Sequence, residues 1–355
     1  MFSYGRFLSI VDRQVDLWLA RTPTPGSDFY VEDRELGWVI RPNAVNDSGS
    51  SRADSMGFRV AEARTVDHGG DRVPVLSMWG CSLVQGCNVP DQETWAWQLN
   101  DRLRGSFRVL NGGVSAYGLD QAFLRLQRYS AQARPPAVAM LGYATSDLLR
   151  NVNVQRTLLQ HSGEQLTMKP RYVLRGEGSL ELVRPPYVPI ADAKVRYRER
   201  SIRDFLRRYD RMYPFAISEF EQRVAVALRV EKRIGPRVRA TKEALQVTVA
   251  IYDAFFRYCD AQGTVGVALL LPVYRGSFCS GADFDVLVEQ FRRSGRPFID
   301  PRPTFARAGD PTRYFTRTNH YTLEGGGLMT DAILAGLSEF GLAAGQAPSV
   351  KAVGA

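Results

Sequence analysis

The chain has 355 residues, 45% apolar and 23% charged, and 46 Lys+Arg against 37 Asp+Glu give a formal net charge of +9. That composition excludes a wholly disordered chain, and no apolar run reaches the roughly 18 residues that mark a membrane-spanning helix. Four scattered cysteines (Cys81, Cys87, Cys259, Cys279) and three histidines (His68, His161, His320) exclude a disulfide scaffold and most metal centres, so no cofactor or metal is expected.

In chain order, Phe7, Leu8, Val11, Val15, Leu17 and Leu19 recur as one face of an N-terminal helix packed on the body of the protein. Arg6, Asp12, Arg13 and Asp16 interrupt the apolar run, which argues against a secretory leader. The polar face mixes both signs, unlike a membrane-surface helix, and a cytoplasmic location is expected. Residues 1–70 as a whole read as a lead-in segment of strands and loops packed on the core.

From residue 73 onward, short apolar runs alternate with amphipathic stretches. Strands are expected at 73–79, 107–110, 136–141, 265–271 and 297–300. Helices are expected at 92–104, 119–132, 283–293 and 323–340. Strands without polar alternation, separated by helices, predict a mostly parallel five-stranded sheet covered on both faces, an α/β fold. Residues 151–262 interrupt this 71–345 domain as a helical insertion, and 346–355 read as a flexible tail. Within the insertion, 15 basic and 7 acidic residues lie between Lys194 and Glu243, so this stretch carries most of the excess charge. A solvated helical face is the plain reading; an anionic ligand or a membrane surface is the alternative. No zinc-finger spacing or RNA-binding aromatic signature accompanies it, so nucleic acid is not expected.

Ligands of such sheets bind beyond the carboxyl ends of the strands, so the loops there are where chemistry is sought. The first is Gly80-Cys81-Ser82-Leu83, a serine just past a glycine turn, whose own N–H can face a developing oxyanion. The second, Asn111-Gly112-Gly113-Val114-Ser115, has glycines that let the backbone approach a ligand and can supply another N–H donor. The third, 142–147, adds Thr145, Ser146 and Asp147. The fourth places His320 just before the last helix, with Thr322 and Glu324 suited to that helix's first turn.

In order and spacing these four loops, with the flanking NVPDQETWAWQLNDRL, VLNGGVSAYGLDQ and YFTRTNHYTLEGG, resemble the SGNH/GDSL hydrolase family over roughly residues 70–340. Bacterial esterase and acetylhydrolase-like members with a long insertion are the most similar. The resemblance implies a three-layer α/β/α sandwich of flavodoxin-like order. It implies Ser82 as nucleophile, His320 as general base, and the Ser82 and Gly113 N–H groups with Ser146 as oxyanion donors. It also implies a short acyl ester of a carbohydrate or glycoconjugate as substrate, released to water or to a sugar hydroxyl. Departures are equally plain: Cys81 stands where the family has Asp, and Ser146 where it has Asn. Arg317 and Thr318 occupy the positions of the acid that precedes the histidine, which leaves Asp310 or Asp300 as candidates for that role. The Cys81 thiol is a second candidate nucleophile. A catalytically degenerate binding or assembly protein is the alternative to an enzyme.

Overall fold

In the computed structural model the described residues are 3–20, 28–62, 73–160, 165–213, 236–274 and 282–342. His68, His161, Cys279 and the expected tail at 346–355 lie outside them. The chain divides into two compact units. One is drawn from Met1–Pro25, Tyr30–Val39 and Leu148–Ala250, the other from Gly26–Phe29, Ile40–Asp147 and Ile251–Ala355.

Along the chain, helix α1 (Tyr4–Leu19) and the paired strands β1 (Tyr30–Asp33) and β2 (Gly37–Ile40) come first. Strand β3 (Val75–Trp79), helix α2 (Ser82–Gln85), α3 (Trp95–Arg102), β4 (Arg108–Asn111), α4 (Leu119–Gln132) and β5 (Val138–Tyr143) follow. Next are α5 (Arg156–Gln160), β6 (Arg171–Leu174), β7 (Leu180–Val183), α6 (Ala193–Arg196), α7 (Arg200–Tyr209) and α8 (Pro236–Gln262). Last are β8 (Val265–Leu270), α9 (Ala282–Arg293), β9 (Phe298–Ile299), α10 (Arg302–Arg307) and α11 (Leu323–Glu339).

The second unit is built on a five-stranded sheet in the order β4-β3-β5-β8-β9, with every pairing parallel. From β3 the chain crosses to β4 on one side and then to β5 on the other. The carboxyl end of β3 is therefore the switch point, where an open parallel sheet leaves a crevice. Side chains alternate between faces. Leu76, Met78, Val138, Met140, Val267 and Leu269 share one core with Leu99 of α3 and with Met329 and Ile333 of α11. On the opposite face Trp79 meets Tyr129 of α4 (5.7 Å between ring centres) and Tyr143 meets Phe284 of α9 (5.9 Å). Tyr252 of α8 donates its hydroxyl to the Leu141 carbonyl on that side (3.0 Å). Helices cover both faces, and the result is a three-layer α/β/α sandwich of flavodoxin-like strand order.

The first unit departs from the sequence reading in two places. The stretch expected to be helical contains an antiparallel hairpin, β6 with β7. On α1, Phe7, Val11 and Val15 are buried, but Leu17 and Leu19 are 48% and 60% exposed. Leu17 lies about 200° round the helix from Val15, and Leu19 is its terminal residue. Phe7 sets its ring edge on Tyr197 just after α6 (5.1 Å), so the helix packs within this unit.

Polar groups organise the same unit. The Asp210 carboxylate accepts from the Val154, Gln155 and Met212 N–H groups and from Asn153 Nδ2. Burial pushes that carboxyl up, against these hydrogen bonds. Much of the positive charge is locally paired: Arg198 with Asp12, Arg196 with Glu199, Arg200 and Arg207 with Asp204, and Arg171 and Arg211 with Glu243. No described helix is long and apolar enough to cross a membrane.

Candidate active site

All the residues of the site belong to the sheet unit. Ser82 opens α2 directly after β3, and this one-turn helix ends because Gly86 adopts φ +80, a conformation that favours glycine. The indole of Trp95 caps the turn, donating to the Leu83 carbonyl (2.8 Å). Ser82 is partly exposed, whereas Cys81 is buried in the core.

His320 sits on a tight turn before α11. Thr316 N–H donates to the His320 carbonyl (2.7 Å), His320 N–H donates to Thr316 Oγ1 (3.2 Å), and Asn319 takes the left-handed conformation (φ +60) that the reversal needs. Thr322 caps α11 by accepting from Gly325 N–H (3.1 Å), as the sequence predicts. Beneath the turn, Tyr321 donates to the Pro272 carbonyl (2.9 Å). Burial, with Cys81 and Asp147 nearby, pushes that phenol well up, so it remains a neutral donor.

These two segments, 238 residues apart in sequence, bring Ser82 Oγ to 2.8 Å from His320 Nε2. This is hydrogen-bond reach for a nucleophile and its base. It is the Ser82 hydroxyl that meets Nε2, while Cys81 is buried in the core. On the other side of the ring, Nδ1 lies 3.1 Å from Thr318 Oγ1, and that hydroxyl donates to Asn88 Oδ1 (3.2 Å). Asp310 bonds Thr312 (2.8 Å) and Asp300 is ion-paired with Arg302 (2.8 Å), so each candidate acid is engaged locally.

The loop after β4 is locked to α2. Asn111 Nδ2 donates to the Gln85 carbonyl (3.2 Å), and Ser115 N–H donates to Gln85 Oε1 (2.6 Å). Gly113 fits here for a packing reason: a Cβ on it would lie 2.2 Å from Gln85 N. Its N–H donates to Asn111 Oδ1 (3.1 Å). Three residues on, Ala116 is 6% exposed and holds φ +66, and its N–H meets no acceptor among the described residues. The Ser82 N–H likewise meets no acceptor among the described residues. Ser146 is exposed and gives its hydroxyl to Asp147 (3.2 Å); no hydrogen bond joins it to Ser82 or His320. Ala116 carries a left-handed conformation that costs an L-residue roughly 1–2 kcal/mol. Ala116→Gly should therefore raise stability by about 1 kcal/mol, read as a higher melting temperature. An unchanged or lower melting temperature would argue that the conformation is unstrained.

Sequence reading missed the support of this loop pair. Arg59, fully buried, ion-pairs with Asp91 (3.0 Å) and donates to the carbonyls of Gln85 (3.0 Å), Gly86 and Val89 (2.7 Å). Its backbone also pairs with Asn111 at the end of β4 (3.2 Å). One guanidinium thus fixes the 85–89 segment that carries Asn88.

No protein-family model and no curated protein matches the chain. Among solved structures, a lipolytic G-D-S-L protein from Veillonella parvula is similar at 11% identity and TM-score 0.40, over 73% of this chain and 96% of that one. A catalytic mutant of the acetylxylan esterase Axe2 from Geobacillus stearothermophilus gives 9% and 0.41, over 76% and 96%. The psychrotrophic esterase EstA from Pseudoalteromonas sp. gives 10% and 0.38, over 75% and 97%. At such values these matches carry no argument about chemistry.

Proposed function

We propose that the chain is an SGNH-type serine ester hydrolase or acyl-transfer enzyme in which Ser82 attacks and His320 moves the proton. The 2.8 Å approach of Ser82 Oγ to His320 Nε2 at the switch point carries this reading. Ser82 Oγ bonds to the acyl carbon while its proton passes to Nε2, and the carbonyl electron pair moves onto oxygen. The bond to the leaving oxygen then breaks, and that oxygen takes the proton from Nε2. Water, or a sugar hydroxyl, attacks the acyl-Ser82 by the same route. Acid or a new ester leaves, and Ser82 regains its proton.

For the oxyanion we assign two backbone donors, the Ser82 N–H and, in place of Gly113, the Ala116 N–H. The likeness of the four loops to acetylhydrolase-like proteins supports a short acyl ester on a carbohydrate as the substrate to test first. Apart from the ester site, the exposed arginines of α7 (Arg203, Arg207, Arg208) would give an anionic ligand or lipid surface a salt-sensitive contact. A degenerate binding protein has no need to keep the serine and histidine in contact, which favours the enzyme.

The test is initial-rate hydrolysis of p-nitrophenyl acetate, butyrate and octanoate and of acetylated xylo-oligosaccharides, by the chain and by Ser82→Ala. Release that depends on Ser82 and is fastest with the acetyl esters is expected. Equal rates for the two proteins on every substrate would overturn the proposal.

A further inference from the structure

We propose that Thr318 and Asn88 form a neutral relay that holds His320 in the tautomer able to accept the serine proton, taking the positional role of a carboxylate. The inference rests on the serine hydrolase reading above. Four contacts define the relay. Nε2 faces Ser82 Oγ at 2.8 Å, and Nδ1 faces Thr318 Oγ1 at 3.1 Å. Thr318 Oγ1 is 3.2 Å from Asn88 Oδ1 and 3.1 Å from Thr316 Oγ1.

A hydroxyl has one proton to give. The amide oxygen of Asn88 can only accept, so the Thr318 proton is directed there. The lone pairs of Thr318 are then left for its other neighbours. Nδ1 must therefore carry a proton and donate it to Thr318, and Nε2 presents its lone pair to Ser82. That is the polarity a general base requires. With Asn88 reversed, so that Nδ2 donated, the Thr318 proton would turn to Nδ1 and Nε2 would be protonated and useless as a base.

The rest of the site holds the relay in place. Asn88 adopts φ +75, a left-handed conformation that asparagine tolerates better than most residues. Its segment is anchored by Arg59 at the Gly86 and Val89 carbonyls on either side. Thr316, besides reaching Thr318, accepts the His320 N–H (3.2 Å) and so ties the ring's own backbone to the relay. Among the described residues no hydrogen bond joins Thr318 or Asn88 to Ser82, and they act through His320. They are positioning residues.

The experiment compares the wild-type chain with T318V, which keeps the shape and removes the hydroxyl, and with T318S, which restores it. Long-range ¹H–¹⁵N spectra of ¹⁵N-histidine protein report the His320 tautomer, with H320Q identifying its signals. Labelling by a fluorophosphonate is timed in parallel. The wild-type protein and T318S should show the Nδ1–H tautomer, and T318V should lose it. Labelling of T318V should slow on the order of 10-fold, about what one neutral hydrogen bond supplies, and recover in T318S. An Nδ1–H population unchanged in T318V would overturn the relay, whatever the labelling does. No labelling even in the wild-type protein would instead count against the hydrolase reading, while the tautomer comparison still decides the relay.

Discussion

Replacing His320 with alanine should lower ester turnover by roughly 10²–10⁴-fold, the usual contribution of a positioned general base. The Michaelis constant should change little, because the ring acts on the Ser82 proton and not on substrate binding. Ser82→Ala should cost at least as much, and the double variant no more than the worse single one. Groups that act as one unit are not additive, since either loss already stops the shared step. Initial rates on p-nitrophenyl acetate, with circular dichroism to show folded variants, would check this. A turnover for His320→Ala within about 3-fold of the parent would remove the base from the account. The residual rate in either variant would report the proposed oxyanion donors, because the Ser82 and Ala116 N–H groups belong to the backbone and survive both substitutions.

The second large effect is expected at Arg59. Its side chain is fully buried, as is that of its partner Asp91, at 0% and 2% exposure. Arg59→Met would leave a buried carboxylate short of its main partner and three carbonyls short of a donor. Breaking such a pair from one side typically costs about 3–5 kcal/mol. The lower figure is expected here, because Arg52 also reaches Asp91 (2.9 Å) from a more exposed position. Arg59→Lys keeps the charge but not the planar fork, so it cannot serve the Gln85, Gly86 and Val89 carbonyls together. It should fall between the two in urea unfolding. Since this segment carries Asn88, Arg59→Lys should also slow fluorophosphonate labelling at temperatures where the protein is still folded. A midpoint for Arg59→Met equal to that of the parent would show the cluster to be incidental.

Much of the fold was legible because it is written in periodicity. Mostly apolar runs at 73–79, 136–141 and 265–271 read as parallel strands, and the observed strands Val75–Trp79, Val138–Tyr143 and Val265–Leu270 fall within two residues of them. The Ser82 and His320 loops were legible for the same reason, since each lies at a strand end or helix start that the pattern marks.

What failed to show in the sequence depends on distance along the chain. Thr318 and Asn88 are 230 residues apart, small and polar, and nothing local announces their partnership. The sequence showed only that a carboxylate was missing before the histidine. The β4 loop misled in an instructive way. A glycine signals either close backbone approach or a left-handed conformation. Gly113 serves the first purpose against Gln85, while the second falls on Ala116, a residue type that gives no such signal. The hairpin at 171–183 was hidden by the charge-rich helical pattern around it. On α1 the apolar residues do not share one face, because Leu17 lies off the buried stripe of Phe7, Val11 and Val15.

The central claim is that Ser82 is a nucleophile activated by His320. The most direct measurement is mass-spectrometric mapping of the chain after incubation with a fluorophosphonate. One adduct is predicted, on Ser82, absent from Ser82→Ala and strongly slowed in His320→Ala. No adduct under conditions that label an ordinary serine esterase, or an adduct on another residue that persists in Ser82→Ala, would contradict it.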